Sequence, residues 1–257
     1  MKIKPWAWVS FVLGALYFLV PLLAVFLFSL RGSKDGLGFS AYVHVFQDAN
    51  FISSFLFSLK IAAWVIVLSF VLVIPTAIHI RLHFPRLRPV LETLVNLPFT
   101  IPVIVLAFGL IRLYSGTLTH STILLVAGSM VICLPYVYRL IDSGLEAIKL
   151  KTLTEAASSL GASWPRTLFY VILPNLRTSL IGAASIVFAM VMGELTLSLM
   201  LAWPAFGPYM ALVGRDLAYE PAALAVISFG LTWFSIALFH MAGNKQSTQS
   251  VQKGAKK

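Results

Sequence analysis

The sequence predicts an all-α integral membrane protein with six transmembrane helices. Three observations carry this. Hydrophobic residues make up 59% of the 257 and charged residues only 11%, a balance far from that of soluble domains. Six apolar runs, at roughly 8–30, 53–80, 90–114, 121–142, 179–201 and 222–243, each reach the length of about 20 residues that a bilayer demands. The basic residues are unevenly divided between the alternating loops. With the N-terminus inside, fourteen of the 19 Lys and Arg fall on one side. The positive-inside rule then places both termini and the loop after the fourth run in the cytoplasm. This asymmetry accounts for the net charge of +10 without any nucleic acid partner.

The first run follows Met1-Lys2-Ile3-Lys4, as a signal peptide would. It is longer than an ordinary signal core and no small-residue cleavage site closes it, so an uncleaved first span is expected. In the second run, Lys60 has a stem long enough to snorkel to the outer interface. His79 and His83 stand at i, i+4 at its far end without a third metal ligand nearby, and read as interfacial histidines.

The third run contains Asn96, Pro98, Thr100 and Pro102. As one helix, it would carry both prolines on one face and be kinked by the donors they lack. Carbonyls freed in this way are tolerated in a membrane where they line a cavity or face protein. Lining a cavity and packing on neighbouring helices are both open readings. Cys133 in the fourth run is the only cysteine, which excludes an intrachain disulfide and suits a small core hydrophobe.

The stretch from Thr152 to Pro174 interrupts the apolar pattern. Thr152 and Glu155 have capping-box spacing. Leu153, Ala156, Ala157 and Leu160 repeat at i, i+3, i+4, i+7, one helical face. Gly161 suits the left-handed residue that closes a helix. Ser163 can cap a second helix with Trp164 and Pro165 in its first turn, and that helix is expected to stop at Pro174. A helix of two turns is marginal alone and needs a surface to lie against.

The fifth run has Gly182, Ala183 and Ala184, which allow close helix packing. It also holds Glu194, the one carboxylate deep in a span, with Thr196 and Ser198 nearby. Such a group usually faces a bundle interior or a watery cavity. The alternative is a structural hydrogen bond to a backbone break near Gly193. The loop at 202–221 is aromatic and ends with Arg215, Asp216 and Glu220. It suits both a docking surface and an interfacial segment anchored by Trp203 and Tyr209. The tail at 244–257 is polar and reads as disordered.

Glu155-Ala156-Ala157, three residues, Gly161, nine residues, then Val171-Ile172-Leu173-Pro174 resembles the EAA loop of binding-protein-dependent type I ABC importer permeases. Val171 stands where the family pattern has isoleucine. The resemblance covers roughly Phe51 to His240, and the pattern also looks most like the branch serving polyamines, ferric iron and phosphonates. It implies a permease fold of six transmembrane helices with a cytoplasmic coupling helix. It divides the chain into a first helix and outer loop (1–50), a transmembrane core (51–243, EAA loop 143–178) and a tail (244–257).

The resemblance further implies a bacterial inner membrane location, a second permease subunit, a separate ABC ATPase subunit and an extracytoplasmic solute-binding protein. Glu155, Ala156, Ala157, Leu160, Gly161 and Pro174 would form the ATPase-coupling segment. Asn96, Pro98, Thr100, Pro102, Glu194 and Thr196 would lie on the translocation path, with a weak lean to a polyamine-like solute. The chain has no phosphate-binding loop, metal-protease helix or nucleophile elbow, so it is expected to be no enzyme and to carry no cofactor, ATP and Mg being held by the partner. The rival class is a secondary transporter or channel. Such proteins often show inverted repeats, and no convincing repeat is visible here.

Overall fold

The computed structural model describes the backbone of residues 5–32, 36–114, 116, 118 and 121–254, with side chains up to residue 237 except those of residues 5 and 7. Among these residues the regular structure is helical: α1 (Pro5–Ser29), α2 (Ser40–Gln47), α3 (Ala49–His83), α4 (Arg88–Asn96), α5 (Val103–Leu113), α6 (Thr122–Ala147), α7 (Leu150–Ser159), α8 (Trp164–Thr167), α9 (Leu173–Met192), α10 (Thr196–Met200), α11 (Phe206–Asp216) and α12 (Glu220–Gly254). Among the described residues five helical segments are long and apolar enough to cross a membrane, and a sixth crossing exists if α4 and α5 count together.

The core is the mutual packing of α3, α6 and α9. Ile61, Val65, Ile78, Val137, Ile141, Leu145, Ile172, Leu176 and Val187 are all buried there. Lipid tails are as apolar as these side chains, so close contact rather than water exclusion must hold the helices together. Small residues supply it. Ala62, Ala77 and Ala183 are fully enclosed, and a Cβ on Gly144 of α6 would overlap Ser179 of α9. α12 packs on α9, and α1 leans on α12 with the rest of its apolar surface open.

Three expectations are corrected. The third run is not one kinked helix. Pro85–Thr100 and Val103–Leu113 meet at 96°. A 3-10 turn holds Leu97–Thr100, Ile101 is extended, and Pro102 precedes the first turn of α5. Pro98 and Pro102 therefore sit on opposite arms of a bend, because the second proline starts a new helix where an N–H is dispensable.

The helix opened by Ser163 does not stop at Pro174. It continues from Trp164 to Met192, so the fifth crossing begins earlier than 179 and ends before 201. The turn at Leu168–Ile172 is π-helical. Its wider backbone relieves the clash a proline makes with the preceding turn. Finally, α7 starts at Leu150, behind Lys149 at φ 50°, and no side chain caps it. The capping box of Thr152 and Glu155 is not formed, because those residues already lie inside the helix.

The backbone of α12 is helical to Gly254. The expected disorder at 244–257 falls on residues whose side chains lie outside the described set.

Candidate functional site

The segment carrying α7 is defined by its two ends. α6 finishes at Ala147, and only Ile148 and Lys149 separate it from α7. Lys149 takes a left-handed conformation at one end and Gly161, at φ +74°, takes it at the other. The glycine is the residue for which this geometry carries no steric cost, and Ala162 N–H closes the turn onto Ala157 O at 3.0 Å. Ser163 then precedes α8 as expected, with Pro165 in the first turn, although no side chain of Ser163 caps it. α7 lies against α6 and the π-helical turn.

The buried face of α7 differs from the expected stripe. Leu150 and Ala157 are buried, Leu153 and Thr154 are half-buried, and Glu155, Ala156 and Leu160 are exposed. Leu160 follows the last helical residue and is 88% exposed. The i, i+3, i+4, i+7 pattern therefore splits. Ala157 serves the chain's own packing, while Glu155, Ala156 and Leu160 form a free outer face. Glu155 is 3.9 Å from Lys151, an exposed pair of little energetic weight. Pro174 is exposed in the first turn of α9.

Beside the root of α7 lies a charge cluster that the sequence did not single out. Arg81 of α3 donates Nε to Asp142 Oδ1 at 2.5 Å and Nη2 to Glu146 Oε2 at 3.0 Å. Arg88 of α4 donates Nη2 to Asp142 Oδ2 at 2.8 Å and to Glu146 Oε2 at 3.2 Å. Arg88 Nε also lies 2.9 Å from Glu92 Oε1, an ion pair without hydrogen-bond alignment. Asp142 and Glu146 stand one turn apart on α6, a spacing that puts them on one face. Along the sequence, Arg81 and Arg88 belong to the basic residues whose asymmetry sets the topology. The four-residue spacing of the carboxylates was the available clue.

The path candidates do not form one cluster. Asn96 and Thr100 are exposed at the α4–α5 bend, and Thr100 Oγ1 is spent on Leu97 O at 2.8 Å. Glu194 is half-buried in the break after α9. Its Oε1 accepts Leu197 N–H at 2.6 Å, and its Oε2 accepts Ser198 N–H at 2.8 Å and Ser198 Oγ–H at 2.9 Å. This is the structural alternative: the carboxylate holds the first turn of α10, where free N–H groups and the helix dipole favour a negative charge. Thr196 is the first residue of that helix. Gly207 of α11 comes so close to the break that a Cβ there would overlap Glu194 O.

At the end of the bundle remote from α7, α11 covers the start of α3. Ser58 Oγ accepts the buried Phe206 N–H at 2.8 Å, and Tyr209 Oη–H donates to Asp48 Oδ2 at 2.8 Å. The Asn50 backbone N–H and the Tyr209 hydroxyl hold the Asp48 carboxyl below its ordinary value, and burial with the Asp48 bond raises the Tyr209 phenol. A cavity of about 630 Å³ opens here between Asp48, Asn50, Trp203, Tyr209 and Asp216. Among the described residues no group of three potential metal ligands occurs.

Residues 73–245 match the model of the family described as binding-protein-dependent transport system inner membrane component. A curated relative, "Probable sulfate transport system permease protein cysT" of Chlorokybus atmophyticus, is 29% identical over 205 residues, covering 74% of this chain and 70% of that one. Two solved structures share the fold at 16% identity. A bacterial ABC transporter for the acidic polysaccharide alginate superposes with a TM-score of 0.66, covering 93% of this chain and 96% of its own. The alginate transporter in complex with its pentasaccharide-bound periplasmic protein gives 0.65, with 92% and 94% covered. With a helical bundle of this plan and a family match over most of its length, the chain belongs to the inner membrane components of binding-protein-dependent transport systems, as a type I ABC importer permease and not an enzyme.

Proposed function

We propose that α7 is the coupling helix through which a separate ATPase subunit drives this permease, with α7 and both termini in the cytoplasm. The carrying observation is the free face of α7. Glu155 and Ala156 stand outward on this ten-residue helix and Leu160 just past its end, between left-handed residues on both sides. A short helix leaving an apolar residue 88% exposed suits a cleft in a partner. A loaded solute-binding protein docks at the opposite end, around α11 and the cavity beside Asp48. ATP, held with Mg by the ATPase, closes that subunit, and α7 carries the motion into the bundle. A second permease copy or homologue completes the path, to which Asn96, Pro98, Thr100, Pro102 and Thr196 contribute, while Glu194 holds the start of α10.

Cysteines at Ala156 and Leu160 should crosslink to the ATPase subunit in membranes, and a cysteine at Ala157 should not. Gly161→Pro should abolish both the crosslinks and ATP-dependent uptake. Crosslinks absent from all three positions in an assembled transporter would refute the coupling role.

For the solute, the sequence leans to a polyamine-like cation. A second reading, a small oxyanion, draws support from the sulfate transport description of the relative and from Glu194. All the hydrogen bonds at that carboxylate come from α10, which leaves it poorly placed to hold an ammonium group. Uptake of labelled spermidine and labelled sulfate by proteoliposomes with the cognate binding protein and ATPase separates the two readings.

A further inference from the structure

The charge cluster of Arg81, Arg88, Asp142 and Glu146 lies between the lever and the bend of the third crossing. Asp142 spends one oxygen on α3 and the other on α4, and its side chain is only 9% exposed. It sits on the last turns of α6, seven residues before the left-handed joint at Lys149. Leu150, the first residue of α7, is buried on the far side of that joint. The connection from α7 to the carboxylate is therefore short and pinned at both ends. Arg88 opens α4, which runs without interruption into the 3-10 turn and the 96° bend.

We propose that Asp142 is a positioning residue of transport, which through Arg88 obliges α4 to follow α6 when α7 is moved. The inference rests on the coupling role of α7 proposed above. Apolar contact alone would let α4 slide along α6, since lipid and side chains are interchangeable there. Charge-assisted hydrogen bonds of fixed geometry do not slide, and the Asp142 carboxylate they share is largely shielded from water. The guanidinium is suited to the task because its Nη2, with two N–H donors, reaches Asp142 and Glu146 together. Arg81 holds the same carboxylate to α3, so α3, α4 and α6 share one anchor at the root of the lever.

The test uses the assembled transporter with its ATPase subunit, in a Cys133→Ala background. Asn96→Cys reports on the third crossing through its rate of maleimide labelling with and without ATP and vanadate. Ala156→Cys, in a separate sample, reports attachment of α7 through crosslinking to the ATPase. Arg88→Gln and Asp142→Asn should keep the crosslink and ATP hydrolysis close to the parent. Both should cut the nucleotide-dependent change at Asn96 by about five-fold or more, the lower range of site-to-site coupling. Arg88→Lys should restore at least part of the response, and Glu92→Gln, which spares Asp142, should leave it intact. A full response in Arg88→Gln overturns the proposal. So does joint loss of crosslink, hydrolysis and labelling, which marks a structural role, or a parent that crosslinks without any response at Asn96. A parent that never crosslinks removes the lever reading itself.

Discussion

Replacing Glu194 by glutamine separates holding a helix from handling a solute. The carboxylate accepts three hydrogen bonds, one on Oε1 and two on Oε2. Glutamine offers a single carbonyl oxygen, and its NH2 group must face a donor whichever way it turns. Either Leu197 N–H or the Ser198 pair loses its acceptor. Hydrogen bonds to charged groups contribute about 1.5–3 kcal/mol each, and an orphaned donor adds its desolvation penalty. The expected loss is about 2–4 kcal/mol. On the scale of soluble chains of this length that lowers the melting temperature by roughly 5–15 °C. A thermal-shift measurement in detergent, paired with uptake at a permissive temperature, checks this. Glu194→Asp should fall between wild type and glutamine, keeping the charge with a shorter reach. The reasoning is refuted if Glu194→Gln melts like the wild type while uptake is lost, since the carboxylate would then act on the solute.

Gly207→Ala places a methyl group against the Glu194 and Leu195 backbone, which cannot turn aside as a side chain could. A cost of about 3 kcal/mol should appear as poor folded yield, whereas Gly230→Ala, with open space around it, should express normally. Ser58→Ala strands the buried Phe206 N–H and should cost about 1–3 kcal/mol, read as a lower melting temperature, while Ser53→Ala at the exposed neighbouring turn should be silent. Gly161→Ala should cost about 1 kcal/mol from the left-handed backbone yet retain crosslinking at Ala156, unlike Gly161→Pro. The depressed Asp48 carboxyl contributes stability that is fully present above the ordinary aspartate range and is lost as pH falls through its lowered value. A melting curve taken against pH should therefore dip on the acid side, and Asp48→Asn should flatten that dip.

The crossings and the short helix α7 were legible because their signals are local. Apolar length, basic asymmetry and the spacing from Glu155 to Pro174 are properties of adjacent residues. The turn at Gly161 followed directly, since a glycine at that point has few other uses. The stripe on α7 was harder to divide. Helical period shows which residues share a face, but α6 and the π-helical turn decide that Ala157 is covered and Ala156 is not. The third crossing misled for a related reason. Two prolines four apart suit a kink as well as a right-angle break, and only the packing of α4 on α6 and of α5 on α10 selects the break.

The sequence by itself determined that this chain lives in a bilayer, roughly where it crosses, and which polar helical segment interrupts the apolar pattern. Those features depend on transfer free energy and backbone sterics, which neighbouring residues set. The tertiary structure alone decided that Glu194 holds the start of α10 and that Arg81 and Arg88 converge on Asp142 from 61 and 54 residues away. Such pairings depend on which helix ends meet in space, and no local pattern of charge along the chain encodes that meeting.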